Sequence, residues 1–228
     1  MNMSGFLLML IYATATGVCI LLGGLLARIE RIRPLWLENE LRHSIIAFGG
    51  GVLIAAVALV LVPEGTLLVG SAWGSVLFFL VGGILFFLVE WVLGKRHAES
   101  PNLLAMLLDY LPETLAMGGM FAAGAASAPF LALLIGLQNL PEGFNAYREM
   151  QARPGFKPKR VLWIMAAMVP LGPLVGALGW VYAADNPVFL GAVMLTAAGG
   201  ILYLIFQDIA PQSRLSRHWA PTLGAVLG

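Results

Sequence analysis

Apolar stretches of about 20 residues recur from one end of this chain to the other, the length needed to cross roughly 30 Å of hydrocarbon. They fall near 6–27, 45–62, 72–93, 103–124, 129–147, 161–184 and 187–206, and an eighth begins near Ala220, close to the last residue, Gly228. Only 11% of the residues are charged, against about 25% in an average soluble domain, and mean hydropathy is +0.88. These features predict an all-α integral membrane protein, a single transmembrane domain over 1–228 with short connections between spans. The eighth stretch is too short to cross, so the last helix is expected to be a half-span or a truncated one. No basic segment precedes the first apolar run, which therefore reads as a retained span rather than a leader.

The thirteen Lys and Arg residues fix the expected orientation. Arg28, Arg31, Arg33 and Arg42 lie between spans 1 and 2, and Lys95 and Arg96 between 3 and 4. Arg148, Arg153, Lys157, Lys159 and Arg160 lie between 5 and 6, and Arg214 and Arg217 between 7 and 8. Alternate loops share one side of a bilayer, so every basic residue falls on the same face. The positive-inside rule makes that face cytoplasmic and puts the N-terminus outside the cell membrane. Cys19 is the only cysteine, which excludes an intrachain disulfide and a thiolate metal cage.

Against this apolar background two polar segments stand out, Asp109-Tyr-Leu-Pro-Glu-Thr114 and Gln138-Asn-Leu-Pro-Glu-Gly143. Residues i and i+4 share a helix face, so Asp109 and Glu113 project together from span 4, and Gln138 and Glu142 from span 5. The tight linker at 125–128 makes the two helices antiparallel neighbours, and both pairs fall near mid-membrane. A charged residue there costs roughly 2.5–3.5 kcal/mol on insertion scales. Pro112 and Pro141 cannot donate to the carbonyls of Leu108 and Leu137, which frees two backbone oxygens at the polar face. One carboxylate can be a packing group; two Pro-Glu helices, each with a partner one turn earlier, point to a bound cation. Three carboxylates, the Gln138 amide and nearby Asn139 suit hard or borderline divalent ions such as Mn²⁺, Fe²⁺ or Mg²⁺, whereas Zn²⁺ prefers sites with His or Cys. Such a set retains at least one proton when no ion is bound, so metal binding displaces protons.

These residues resemble the ZIP (zinc/iron-regulated transporter-like) family, whose fourth and fifth helices carry His-Asn-x-Pro-Glu-Gly and a related motif. Gln138-Asn139-Leu140-Pro141-Glu142-Gly143 matches the second at every position, and Asp109–Thr114 keeps the Pro-Glu of the first. Leu61-Val-Pro-Glu-Gly65, Leu171-Gly-Pro-Leu-Val-Gly176 and Phe206-Gln-Asp-Ile-Ala-Pro211 extend the likeness along the chain. Gly50-Gly51 precede Pro63 by twelve to thirteen residues and Gly199-Gly200 precede Pro211 by eleven to twelve, as inverted repeats would.

The resemblance implies an eight-helix 3+2+3 bundle with inverted repeats, and a carrier that takes up Zn, Fe, Mn or Cd through the cell membrane by alternating access. Its first metal site maps onto Asp109, Glu113, Gln138 and Glu142, with Asp in place of the usual His. The family's second site requires Asn where Tyr110 stands and Glu where Gly172 stands; Asn139 alone remains of its separate ligands, so one metal is expected. The His-rich loop between helices 3 and 4 is reduced to Lys95–Asn102 with only His97.

Glu64 is a candidate access ligand at the outer end of span 2. Glu90 and Asp208 are candidate exit ligands at the inner ends of spans 3 and 7, with His43 and His218 on the same side. Ala13, Ala15, Gly17, Gly172 and Gly176 are expected to pack helices, Pro170 and Pro173 to kink span 6, and most Trp residues to anchor span ends. Partners are the metal ion and the lipid bilayer, with a homodimer left open; no organic cofactor, nucleic acid or enzymatic role is expected. The alternatives are a metal sensor that does not transport and, less favoured by the placement of Asp109 and Asp208 at different depths, an intramembrane hydrolase.

Overall fold

The computed structural model describes residues 3–30, 35–94, 101–183, 185–213 and 220–228, with the backbone alone described at 35–39, 93–94, 101–102 and 220. Arg31, Arg33, Lys95, Arg96, His97, Arg214, Arg217, His218 and Trp219 lie outside the described residues, as does the side chain of Trp36.

The described residues form eight helices and no strand. They are α1 (Met3–Ile29), α2 (35–69), α3 (Ala72–Gly94), α4 (Pro101–Ala122), α5 (Ala128–Gln151), α6 (Pro158–Ala183), α7 (Pro187–Ser213) and α8 (Ala220–Leu227). Five of them, α1, α2, α3, α6 and α7, are long and apolar enough to cross a membrane, as a membrane protein requires. The helices that carry the polar segments, α4 and α5, fall outside that group because Asp109, Glu113, Gln138, Asn139 and Glu142 interrupt their apolar character.

Several boundaries differ from the hydropathy reading. The second helix covers 35–69 rather than 45–62, the fifth Ala128–Gln151 rather than 129–147, and the seventh extends to Ser213 instead of stopping at 206. Hydropathy marks the segment that lipid would surround, whereas backbone hydrogen bonding continues a helix through polar ends. Gly70 and Gly124, with φ of 66° and 70°, adopt the left-handed conformation that terminates α2 and α4 and permits their short connections.

Two helices contain a π turn, Val57–Leu61 in α2 and Ile205–Ile209 in α7. In each, a proline follows two residues later, and it cannot bond the carbonyl four residues back, at Leu59 or Gln207. The ladder slips by one residue instead: Val62 N–H donates to Val57 O, and Ala210 N–H to Ile205 O. In α6 the expected kink is a break at 169–170, at Pro170; Pro173 sits inside the following helical segment, Leu171–Ala183, and does not interrupt it. Both α4 and α5 run unbroken through their internal prolines, Pro112 and Pro141.

The most extensive helix pairings are α1 with α5, α4 with the second half of α6, α3 with α7, and α2 with α8. Glycine backbones set each close approach, since a Cβ would strike a neighbouring carbonyl: Gly143 at Ile20, Gly118 at Gly176, Gly82 at Thr196, and Gly51 at Ala225. Ala13, Gly17, Gly172 and Gly176 are buried as expected, but Ala15 is exposed. Trp73, Trp91 and Trp163 are exposed, whereas Trp180 is buried edge-on against Phe6, their ring centroids 5.4 Å apart. Arg148 and Glu30 pair at 2.7 Å, joining the ends of α1 and α5 on the basic side of the bundle.

Candidate functional site

Helices α4 and α5 are antiparallel neighbours joined by 123–127, and their polar faces meet inside the bundle. Glu113 and Gln138 are both 0% exposed, and Gln138 Nε2 donates to Glu113 Oε2 at 2.5 Å. With its N–H group so engaged, the Gln138 amide directs its carbonyl oxygen elsewhere. Asp109 is 2% exposed; its Oδ1 accepts the Tyr110 backbone N–H at 2.8 Å, and its carboxyl lies within hydrogen-bond reach of Glu142. The four residues mapped as ligands therefore form one continuous cluster, with Asp109 against Glu142 and Glu113 against Gln138.

Asn139 points elsewhere. Its Nδ2 donates to the Thr16 carbonyl of α1 at 2.9 Å, so it ties α5 to α1 and does not join the other four. Tyr110, fully buried, places its hydroxyl beside Gly172 and Gly17 and 3.5 Å from Thr16 Oγ1. The phenol thereby fills the space between α1, α4 and α6, where the resemblance would set a second ion.

Oxygens without a protein donor concentrate here. Glu113 Oε1, Gln138 Oε1, Glu142 Oε2, Asn139 Oδ1, Asn145 Oδ1, Thr114 Oγ1 and Asp208 Oδ2 are shielded from solvent and make no hydrogen bond to protein. A buried polar atom in that condition costs about 1–3 kcal/mol. Apart from the Thr114 hydroxyl they are amide and carboxyl oxygens, acceptors once the carboxyls ionise, which suits a cation rather than an anion. Among the described residues no three His, Cys, Asp or Glu side chains are gathered into a ready-made metal cage. An ion held here would use both carboxylate and amide oxygens, and would draw the side chains inward.

A cavity with about 50 Å³ open to the centres of water-sized molecules lies between α2, α4, α5 and α7. Asp109 and Glu142 line its deep part; Asn145, Asp208 and Gln212 line it toward the basic end of the bundle. Apart from these, its wall is aliphatic, methionine, proline or glycine. Asp208 belongs to the π turn of α7 and lines the cavity.

The outlying candidates are placed as follows. Asp208 lies within reach of Glu90, and Glu90 Oε2 accepts the Tyr203 hydroxyl at 2.7 Å, so the two expected exit residues do meet. Glu64 sits at the opposite end, where Ser127 Oγ donates to its Oε1 at 2.6 Å. Ser127 precedes α5 in the N-cap position, but its hydroxyl bonds Glu64 rather than the helix end. His43, half-buried on α2, is not among the residues that line the cavity.

Sequence reasoning missed Asn145, Thr16, Ser127 and Tyr203. For Asn145 a signal was present, because it follows Glu142 by three residues and Gln138 by seven, continuing one face of α5. The other three are single hydroxyl residues with no local spacing pattern. No family model matches the chain, and no curated protein matches it.

Proposed function

We propose that this chain is a carrier for a divalent metal ion, of the ZIP type, in the cytoplasmic membrane. The observation that carries the proposal is the buried Asp109, Glu113, Gln138 and Glu142 cluster, with three oxygens that lack a protein donor, open to a cavity that leads toward one end of the bundle. Carboxylate and amide oxygens favour Mn²⁺ or Fe²⁺ over softer ions, and the family likeness adds Zn²⁺ and favours inward movement. The filled space at Tyr110 and Gly172 supports a single ion at the cluster.

The helix pairings support the 3+2+3 inverted-repeat reading. Exchanging α1 with α6, α2 with α7, α3 with α8 and α4 with α5 converts the α1–α5 pair into α6–α4, and the α3–α7 pair into α8–α2. The π turns of α2 and α7, each two residues ahead of a proline, correspond under the same exchange. Arg28, Arg42, Arg148, Arg153, Lys157, Lys159 and Arg160 support a cytoplasmic placement of the basic end, which would make this arrangement open inward.

The test is metal uptake into proteoliposomes of purified protein, with Mn²⁺, Fe²⁺, Zn²⁺ and Cd²⁺ in turn. Glu142→Ala should abolish the flux. Metal binding with no flux in the parent protein would instead identify a sensor, a reading favoured by Asp109 in place of the family's His and by the loss of the second site.

A further inference from the structure

We infer that Asn145, together with Glu142 and with Asp208 on α7, forms a second and weaker position for the divalent ion, between the α4–α5 cluster and the basic end. The inference rests on the carrier reading and assigns a step to a residue that reading does not use.

Three observations converge on it. Gln138, Glu142 and Asn145 follow one another along a single face of α5, at spacings of four and three residues. Glu142 Oε2, Asn145 Oδ1 and Asp208 Oδ2 are each shielded from solvent with no donor from the protein. All three side chains line the same cavity, whose remaining wall, Asp109 and Gln212 apart, is apolar; beyond that wall Asp208 also lies within reach of Glu90.

The chemistry of the set gives the position its character. Glu142 belongs to both places, so an ion can pass from Asp109 and Glu142 to Glu142 and Asn145 without losing every ligand at once. A carrier must hold its ion firmly enough to select it and loosely enough to let it go. The upper cluster supplies three carboxylates, whereas the lower one supplies two and a neutral amide. Binding therefore weakens along the route, because the lower position has one carboxylate fewer and an amide stands at 145 where an acid would restore it. A carboxylate at 145 would remove that gradient.

Two variants test the step in proteoliposomes, with Mn²⁺ and Cd²⁺ as probes and equilibrium titration of the same purified protein. Asn145→Leu should leave binding at the upper cluster unchanged and slow initial flux roughly 10- to 100-fold, the range typical for loss of a group that supports a metal position. Asn145→Asp should bind a second ion per chain and lower the maximal flux, because release becomes slow. Asn145→Gln, which keeps an amide oxygen, should retain more flux than the leucine variant. A leucine variant that carries metal as fast as the parent overturns the inference, as does an aspartate variant with parental stoichiometry and flux. If the leucine variant does not fold, the aspartate variant alone decides. Failure of the parent to move any metal would defeat the carrier reading itself, and that result is distinct from parental flux that persists in the Asn145 variants.

Discussion

The contact between Gln138 and Glu113 offers the sharpest test of the cluster. Both side chains are fully buried, the amide N–H meets Glu113 Oε2 at 2.5 Å, and Glu113 Oε1 has no protein donor. Gln138→Leu keeps the bulk and removes the donor. A hydrogen bond to a charged group contributes about 1.5–3 kcal/mol, and one kcal/mol shifts the melting midpoint of a chain this size by about 2–4 °C. The leucine variant should therefore melt about 3–12 °C below the parent in detergent with chelator present. Gln138→Glu sets a second carboxylate against Glu113 and should fall at least as far. The two variants then separate when Mn²⁺ or Zn²⁺ is added. A ligand at a hundred times its dissociation constant adds about 2.7 kcal/mol to the bound state, or roughly 5–11 °C. The glutamate variant should regain that much, because the ion bridges the two carboxylates, while the leucine variant, short of a ligand, regains less. A leucine variant that melts with the parent, or a glutamate variant indifferent to metal, would refute the reasoning.

Three further outcomes are expected. Asp109→His should move the ranking in metal-competition binding toward Zn²⁺ and Cd²⁺, which favour imidazole; an unchanged ranking would show that Asp109 does not touch the ion. Gly118→Val drives a side chain onto the Gly176 carbonyl, so α4 and α6 must separate, at a cost of about 1–3 kcal/mol read as a lower melting midpoint; parental melting would contradict the close approach. In a Cys19→Ser background, a membrane-impermeant maleimide should label Ser71→Cys on intact cells and Lys157→Cys only after permeabilisation, and the reverse pattern would invert the proposed orientation.

Most of the helical plan was legible because each apolar run must cover a crossing, and the candidate cluster was legible because i, i+4 polar pairs beside proline are rare in such runs. Asp109, Glu113, Gln138 and Glu142 came out of that pattern as one cluster. What escaped depends on contacts between elements distant in sequence. Nothing local marks Ser127 as a donor to Glu64 rather than a helix cap, or assigns Asn139 to the Thr16 carbonyl instead of the cluster. The π turns were hidden because a proline in a helix can be met by a kink, a break or a slipped ladder. Pro112 and Pro141 lie within continuous α-helix, Pro170 sits at a break, and Pro63 and Pro211 follow slipped turns. Trp180 near a helix end reads as an anchor until Phe6 of α1 is found against it.

On the carrier reading, the packing also bears on how a buried ion would reach both faces. The helices can be divided into two groups, α1, α4, α5 and α6 in one, α2, α3, α7 and α8 in the other, which pack on each other mainly through α2 against α5 and α4 against α7. Within each group the glycine crossings are backbone to backbone, and separating them would sacrifice closely fitted contacts over whole turns. The cavity lies between the groups, with Asp109, Glu142 and Asn145 on one wall and Asp208 on the other. At the opposite end one side-chain hydrogen bond among those described adds to this packing, Ser127 to Glu64. One neutral-to-carboxylate bond is worth only about 1.5–3 kcal/mol, far less than a glycine-lined crossing with its many backbone contacts. On the carrier reading, alternating access would be least costly as a displacement of one group against the other, which would shift the α2–α5 and α4–α7 packing, break the Ser127–Glu64 contact, close the cavity, and leave Asp109, Glu113, Gln138 and Glu142 together on the group that carries them.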